Sequence, residues 1–128
     1  MQIVGHGIDI VSIDRVRRLL VGSRDDFLDG WFIKDEQIAS PGPIKEAEYF
    51  AGRVASKEAV AKALGTGFSE DVSWTDVQII SGERGSLDVV LVNGARSIGD
   101  ALGITKWLLS LSHTDEYAVA SAIATGNG

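Results

Sequence analysis

One stretch of this sequence, "RVASKEAVAKALGTG" (residues 53–67), combines a carboxylate with several cations on a run built to form a helix. At 100° per residue, Phe50, Val54, Ala61 and Leu64 make an apolar stripe. Glu58 projects about 40° from Val54 and Lys62 about 40° further round, so both sit at the margin of the buried face. Lys57 lies on the other shoulder of that stripe. Taken alone, Glu58 and Lys62 read as an i,i+4 ion pair worth a few tenths of a kcal/mol. The sharper reading is a partly buried carboxylate that binds a cation, with lysines beside it for phosphate oxygens. Asp9 is the second candidate. It interrupts "GHGIDIV", a run otherwise suited to a buried strand, where an acid needs a turn, a partner or a metal. Two carboxylates, one from a strand end and one from a helix, would suit Mg²⁺, which takes one or two protein carboxylates and fills its other positions with water and phosphate oxygens. His113, in "LSLSHT", sits at a turn, where a lone histidine is more often structural than catalytic; His6 reads the same way. No pair of histidines has the i,i+4 spacing of a zinc helix, and "GTG" at 65–67 is too short for a phosphate-binding P-loop. Neither G-x-S-x-G nor cysteine is present for nucleophilic catalysis.

These side chains need elements to hold them. Residues 2–11 read as a strand with few solvent-facing positions. Ser12 can cap a helix over 13–21 whose buried stripe is Ile13, Val16 and Leu20, which leaves Arg15 and Arg18 on the opposite side. One or two short helical turns are expected over 26–39. "SPGP" (40–43) is a loop, and a long helix follows over about 44–64, stopping at Gly65. Strands are expected at 77–80, 87–92, 106–113 and 116–124, with hairpin turns at "SGERGS" and "HTDE". A short helix over 93–102 would be capped by Asn93 and stopped by Gly103. Residues 123–128 are expected to be a frayed tail. Mixed helices and antiparallel strands in this order define an α+β class. The strands offer more apolar surface than the short helices can cover, which points to an interface.

A chain of 128 residues suffices for a single domain with a real core, and 45% hydrophobic with 23% charged residues is ordinary for a soluble globular protein. The net charge of −6 argues against a general nucleic-acid binder. The first residues have neither a basic region nor a long apolar run, so no signal peptide is expected, and nothing approaches the length of a membrane span.

Together these segments resemble holo-acyl-carrier-protein synthase, the small bacterial family of 4′-phosphopantetheinyl transferases. "FAGRVASKEAVAKALGTGF" (50–68) is similar to that family's central signature nearly residue for residue. "GHGIDIVSIDRV" (5–16) resembles its N-terminal motif, "WTDVQII" (74–80) the following strand, and "LSLSHTDEYAVASAIA" (109–124) its C-terminal hairpin. The resemblance implies the 4′-phosphopantetheinyl transferase fold over residues 1–128 as one domain, a cytoplasmic homotrimer, and transfer of phosphopantetheine from coenzyme A to a serine of acyl carrier protein. It implies that Asp9 and Glu58 hold Mg²⁺ and that Lys62 meets the pyrophosphate. Arg53, Gly65 and His113 would then contact coenzyme A, with Arg53 and His113 near the 3′-phosphate. Asp9, Glu58 and Lys62 would form the catalytic set, Glu58 taking the serine proton directly or through a water. Arg15 and Arg18 would dock the acidic carrier protein. Sites would lie between subunits, the 53–65 helix of one meeting the N-terminal strand of its neighbour, or the reverse. The alternative is a module that binds coenzyme A or docks the carrier without transfer. Three features depart from the family pattern: "ERGSLDV" in the hairpin where G-x-P is usual, Asp25 and Asp26 after the first helix, and Thr114 after the hairpin histidine.

Overall fold

A computed structural model describes residues 1–127. Strand β1 (Gln2–Ser12) leads directly into helix α1 (Ile13–Gly22), then α2 (Arg24–Trp31) and the single turn α3 (Lys34–Ile38). The long helix α4 (Glu46–Ala63) follows, then β2 (Val77–Ser81), β3 (Leu87–Leu91), α5 (Asn93–Ala101), β4 (Ile104–His113) and β5 (Tyr117–Gly126). The long strands form an antiparallel sheet in the order β1-β5-β4, and β2 pairs with β3 as a separate hairpin. The α+β class and the element order agree with expectation.

Helix α4 lies across β1 and β5, and small residues explain how closely. The inner face of β5 is a row of alanines, Ala118, Ala120, Ala122 and Ala124, all buried. On β1, a Cβ added at Gly7 would fall 1.9 Å from the Ala59 carbonyl oxygen, and one at Gly5 would fall 2.1 Å from that of Ala63. The helix answers with Ala51, Ala55, Ala59 and Ala63, so backbone meets backbone with little side chain between. Its opposite side packs against α1 and β2. The expected stripe of Phe50, Val54, Ala61 and Leu64 is indeed buried, but so are Ala47, Ala51, Ala55, Ala59 and Val60. A helix covered on several sides has no single apolar stripe, which is why a two-sided reading of it was too narrow.

Three local expectations need correction. Residues 123–126 are not a frayed tail: they complete β5, with Gly126 opposite Gln2 and Thr125 opposite Ile3, and Ala124 and Thr125 are buried. Asn127 lies beyond the strand and is exposed, and Gly128 lies outside the described residues. Asn93 does not cap α5 with its side chain; its backbone takes φ +51° and its amide donates to Asp76 Oδ1 at 3.2 Å. The long helix begins at Glu46 rather than 44, three residues beyond Pro43. The Ser12 cap is as expected, its hydroxyl accepting from the Arg15 amide at 3.2 Å.

Candidate active site

Asp9 sits on the face of β1 that meets α4, and its place in an otherwise apolar strand is explained by what it finds there. Lys62 donates to Asp9 Oδ1 at 2.8 Å and to the Ile8 carbonyl at 3.1 Å. The other oxygen, Asp9 Oδ2, is buried and has no hydrogen-bond partner. Glu58, one turn before Lys62, has its carboxyl pushed up to about 7, first by burial and next by the neighbouring Asp9; Lys62 and Arg15 pull the other way. Lys62 is correspondingly pushed up by its bond to Asp9. The three residues expected to form the catalytic set are thus side by side. All three come from one chain, which corrects the expectation that helix and strand would be contributed by different subunits.

Two openings flank Glu58. On one side a cavity of about 230 Å³ is lined by Glu58, Ala61, Lys62, Gly67, Phe68 and Trp74. On the other, a smaller one of about 40 Å³ is lined by residues that include Ile10, Arg15, Leu19, Trp31 and Glu58. Glu58 is therefore reachable from the α1 face and from the loop after α4. Gly65, expected at the ligand, lines neither opening; its φ of +82° ends the helix, and Gly67 is the loop glycine that faces the larger cavity.

Arg53 and His113 are brought together, as expected, but at a different place. They line a cavity of about 210 Å³ with Lys45, Tyr49, Gly52 and Leu111, and neither lines the openings beside Glu58. Arg53 is buried, donates to Ser81 Oγ at 3.0 Å and lies 4.6 Å over the Tyr49 ring, leaving Nε without a partner. Leu111 touches Gly52, where a larger residue would collide with it. Lys45 and Tyr49 were missed by sequence reasoning; the signal available was their spacing of eight and four residues before Arg53, from the N-cap of α4 onward.

Lys57 corrects a further expectation. It supplies no ammonium to a phosphate site. It is fully buried, paired with Glu36 at 3.0 Å, and it also donates to the carbonyls of Trp74 (3.0 Å) and Val77. Burial lowers its pKa and Glu36 opposes that shift. Glu36 in turn accepts the amides of Ile33 and Ile79, each at 3.0 Å. No local pattern over residues 34–37 marks Glu36 as buried, since a short charged run ordinarily faces solvent.

On α1, Arg15 and Arg18 are exposed. Arg17 and Arg18 share Asp14, at 3.6 and 3.5 Å. Arg15 has no ion-pair partner among the described residues and is close enough to Glu58 to lower its pKa. It therefore belongs to the site as much as to the outer surface.

The residues that could hold a hard divalent cation are Asp9 and Glu58. An orphaned carboxylate oxygen beside a carboxyl with a raised pKa is what a site short of positive charge looks like. Among the described residues no cluster of three or more candidate metal ligands occurs. The donor set fits Mg²⁺, which needs only one or two protein oxygens where phosphates supply others. It does not fit zinc, which uses three or four nitrogen, sulfur or carboxylate ligands.

The site sets two carboxylates beside a lysine on a strand-backed helix, and a second pocket nearby carries Lys45, Glu48, Arg53 and His113. The profile of the 4′-phosphopantetheinyl transferase superfamily matches residues 5–122. The chain belongs to that superfamily, among the holo-[acyl-carrier-protein] synthases. The holo-[acyl-carrier-protein] synthase of Alkaliphilus oremlandii is 39% identical over 96% of this chain and 99% of its own. The crystal structure of the Neisseria meningitidis synthase superposes with a TM-score of 0.86 at 31% identity, covering 97% of this chain and 99% of that one. The Helicobacter pylori synthase, solved in complex with coenzyme A, gives a TM-score of 0.82 at 27% identity over 94% and 99% of the two chains.

Proposed function

We propose that this chain is a holo-acyl-carrier-protein synthase that transfers 4′-phosphopantetheine from coenzyme A to a serine of apo acyl carrier protein. Adenosine 3′,5′-bisphosphate is the second product, and the modified carrier serves fatty acid synthesis. The observation that carries this reading is the triad of Asp9, Glu58 and Lys62, open on one side to a phosphate-sized cavity and on the other to the basic face of α1.

In this reading Lys62 meets the diphosphate of coenzyme A in the larger cavity. Its ammonium is half exposed and can turn from Asp9 toward a more highly charged partner. Mg²⁺, held by Asp9 and Glu58, supplies charge neutralisation at the diphosphate when it is bound. Arg15 and Arg18 seat the acidic carrier on α1, which brings its serine to the opening lined by Arg15 and Glu58. The serine oxygen attacks the phosphorus next to pantetheine. That phosphorus gains one oxygen bond and loses its bond to the bridging oxygen, whose electron pair leaves with adenosine bisphosphate. The serine proton passes to Glu58, directly or through a water, since Glu58 lines the opening by which the serine enters. Most of the rate enhancement comes from holding the reactants in line and from charges already in place.

The active assembly is a cytoplasmic homotrimer in this reading. Two observations support assembly. The sheet face turned away from α4 exposes Ile8 (58%), Ile10 (63%) and Leu108 (44%), and apolar surface of that kind marks an interface. The Arg53 and His113 pocket is also separate from the Glu58 site within one chain, so a neighbouring copy could bring a second chain's pocket to it. Among the described residues no helix is long and apolar enough to cross a membrane.

Mass spectrometry of an apo carrier protein incubated with coenzyme A, Mg²⁺ and this protein tests the reading. One phosphopantetheine should be added per carrier. Tight coenzyme A binding with no mass gain would instead identify a binding module.

A further inference from the structure

The buried pair of Lys57 and Glu36 plays no part in the mechanism above, although Lys57 is the immediate neighbour of Glu58. Its bonding pattern connects it to the site by another route. All three protons of the ammonium are used: on Glu36, on the Val77 carbonyl and on the Trp74 carbonyl. Glu36 ties the same point to α3 through Ile33 and to β2 through Ile79. One buried ion therefore fixes the backbone of Trp74 relative to α4. The Trp74 ring is a wall of the cavity that Glu58 and Lys62 line. It stands in the middle of an aromatic stack, with Phe68 at 3.9 Å and Trp31 at 4.2 Å between ring centres, and with planes within 20° and 8° of parallel. Phe68 faces the same cavity, and Trp31 faces the smaller opening on the α1 side of Glu58.

We infer that Lys57, with Glu36, is a positioning residue for the donor: it holds Trp74 so that the Phe68–Trp74–Trp31 stack walls the cavity where coenzyme A lies against Glu58 and Lys62. This rests on the transferase reading above. The chemistry is consistent. One wall of the cavity is charged and suits the diphosphate. The other is aromatic and suits the neutral amide and methylene part of the pantetheine arm, for which a flat apolar surface is complementary. One of the acceptors that satisfy the three protons of Lys57 is the backbone carbonyl of Trp74, which lines that cavity. Replacing a buried ion pair by apolar groups is often neutral or stabilising, so stability alone does not account for its presence.

The test compares Lys57→Met, Trp74→Leu and the two combined, by steady-state transfer with coenzyme A and carrier protein varied separately. Wild-type protein run in parallel separates the two ideas: no transfer by wild type refutes the transferase reading, whereas transfer by wild type leaves the positioning role to be judged on the variants. Losing one well-seated aromatic contact costs about tenfold in affinity. Each single variant should therefore raise KM for coenzyme A by about that factor while KM for the carrier stays within roughly twofold. The double variant should be no worse than the worse single one, because both remove the same wall. If Lys57→Met does not fold by circular dichroism, the paired Glu36→Gln/Lys57→Met variant takes its place, since it leaves no unpaired buried charge. If neither folds, Trp74→Leu decides: its ring is partly exposed, and an unchanged KM for coenzyme A overturns the inference. A Lys57 variant that lowers Tm but leaves KM unchanged overturns it too, as do effects that multiply in the double variant.

Discussion

Glu58→Gln should make the metal-free protein more stable and the enzyme inactive, and the size of the first effect follows from the site. Folding takes the Glu58 carboxyl from its ordinary 4.5 to about 7. The folded state therefore binds a proton more tightly than the unfolded state. The protonated form's contribution is complete below about pH 4.5 and is lost as pH rises through about 7. At 1.36 kcal/mol per pH unit, that gap is worth about 3 kcal/mol as an upper bound. Glu58 keeps a solvent side and the Lys62 beside it is half exposed, so screening reduces the figure to about 1–2 kcal/mol. Glutamine has nearly the same shape and cannot ionise, so it escapes this cost. In EDTA at pH 8 the variant should unfold about 1–2 kcal/mol later than wild type, or roughly 3–8 °C higher in Tm at this chain length. At pH 5 most of the difference should be gone. Saturating Mg²⁺ at pH 8 should close the gap by stabilising wild type alone. Transfer should fall by at least about a hundredfold, as when one preorganised charge is removed. Urea titrations at both pH values, with and without Mg²⁺, read all of this. A variant no more stable than wild type at pH 8, or equally more stable at pH 5 and pH 8, would refute the charge argument. Normal transfer at limiting Mg²⁺ would remove Glu58 from the metal.

Reversing both Arg15 and Arg18 to Glu should raise KM for carrier protein and make it less sensitive to salt, because exposed charge attraction is screened within about 8–10 Å at physiological ionic strength. An unchanged carrier KM would move docking off α1. Gly7→Ala should cost about 3 kcal/mol or leave the chain unfolded, since its Cβ would meet helix backbone that cannot rotate away. Gly22→Ala, with nothing within 4 Å, is the matched control in the same thermal melt and should be nearly neutral. Ile8→Asp, on the exposed sheet face, should dissociate the proposed trimer while the single chain stays folded, and activity should fall with it. Sedimentation and transfer assays check this, and a fully active monomer at assay concentration would show that no neighbour completes the site.

The sequence by itself was enough to single out the residues of the candidate site. Asp9 in an apolar strand, and Glu58 with Lys62 at a helix margin, stand out because each violates the pattern of its own element, and the structure bonds Lys62 to Asp9 with Glu58 beside them. Caps, glycine stops and β alternation likewise placed nearly every element, because those signals are local. Tertiary packing decided the rest. The burial of Lys57 depends on Glu36, twenty-one residues away, and on carbonyls beyond the following loop, so no local pattern could separate it from Lys62. The last residues of β5 looked like a loose tail because the alanine, glycines and asparagine of "ATGNG" carry little strand propensity. Pairing with β1 at the far end of the chain makes them strand, since a partner's hydrogen bonds outweigh weak local preference. That α4 is covered on several sides was also a tertiary outcome. The alanine row of β5 and the glycines of β1 let the helix approach until backbones touch, and only at that separation do the strand carboxylate and the helix lysine meet.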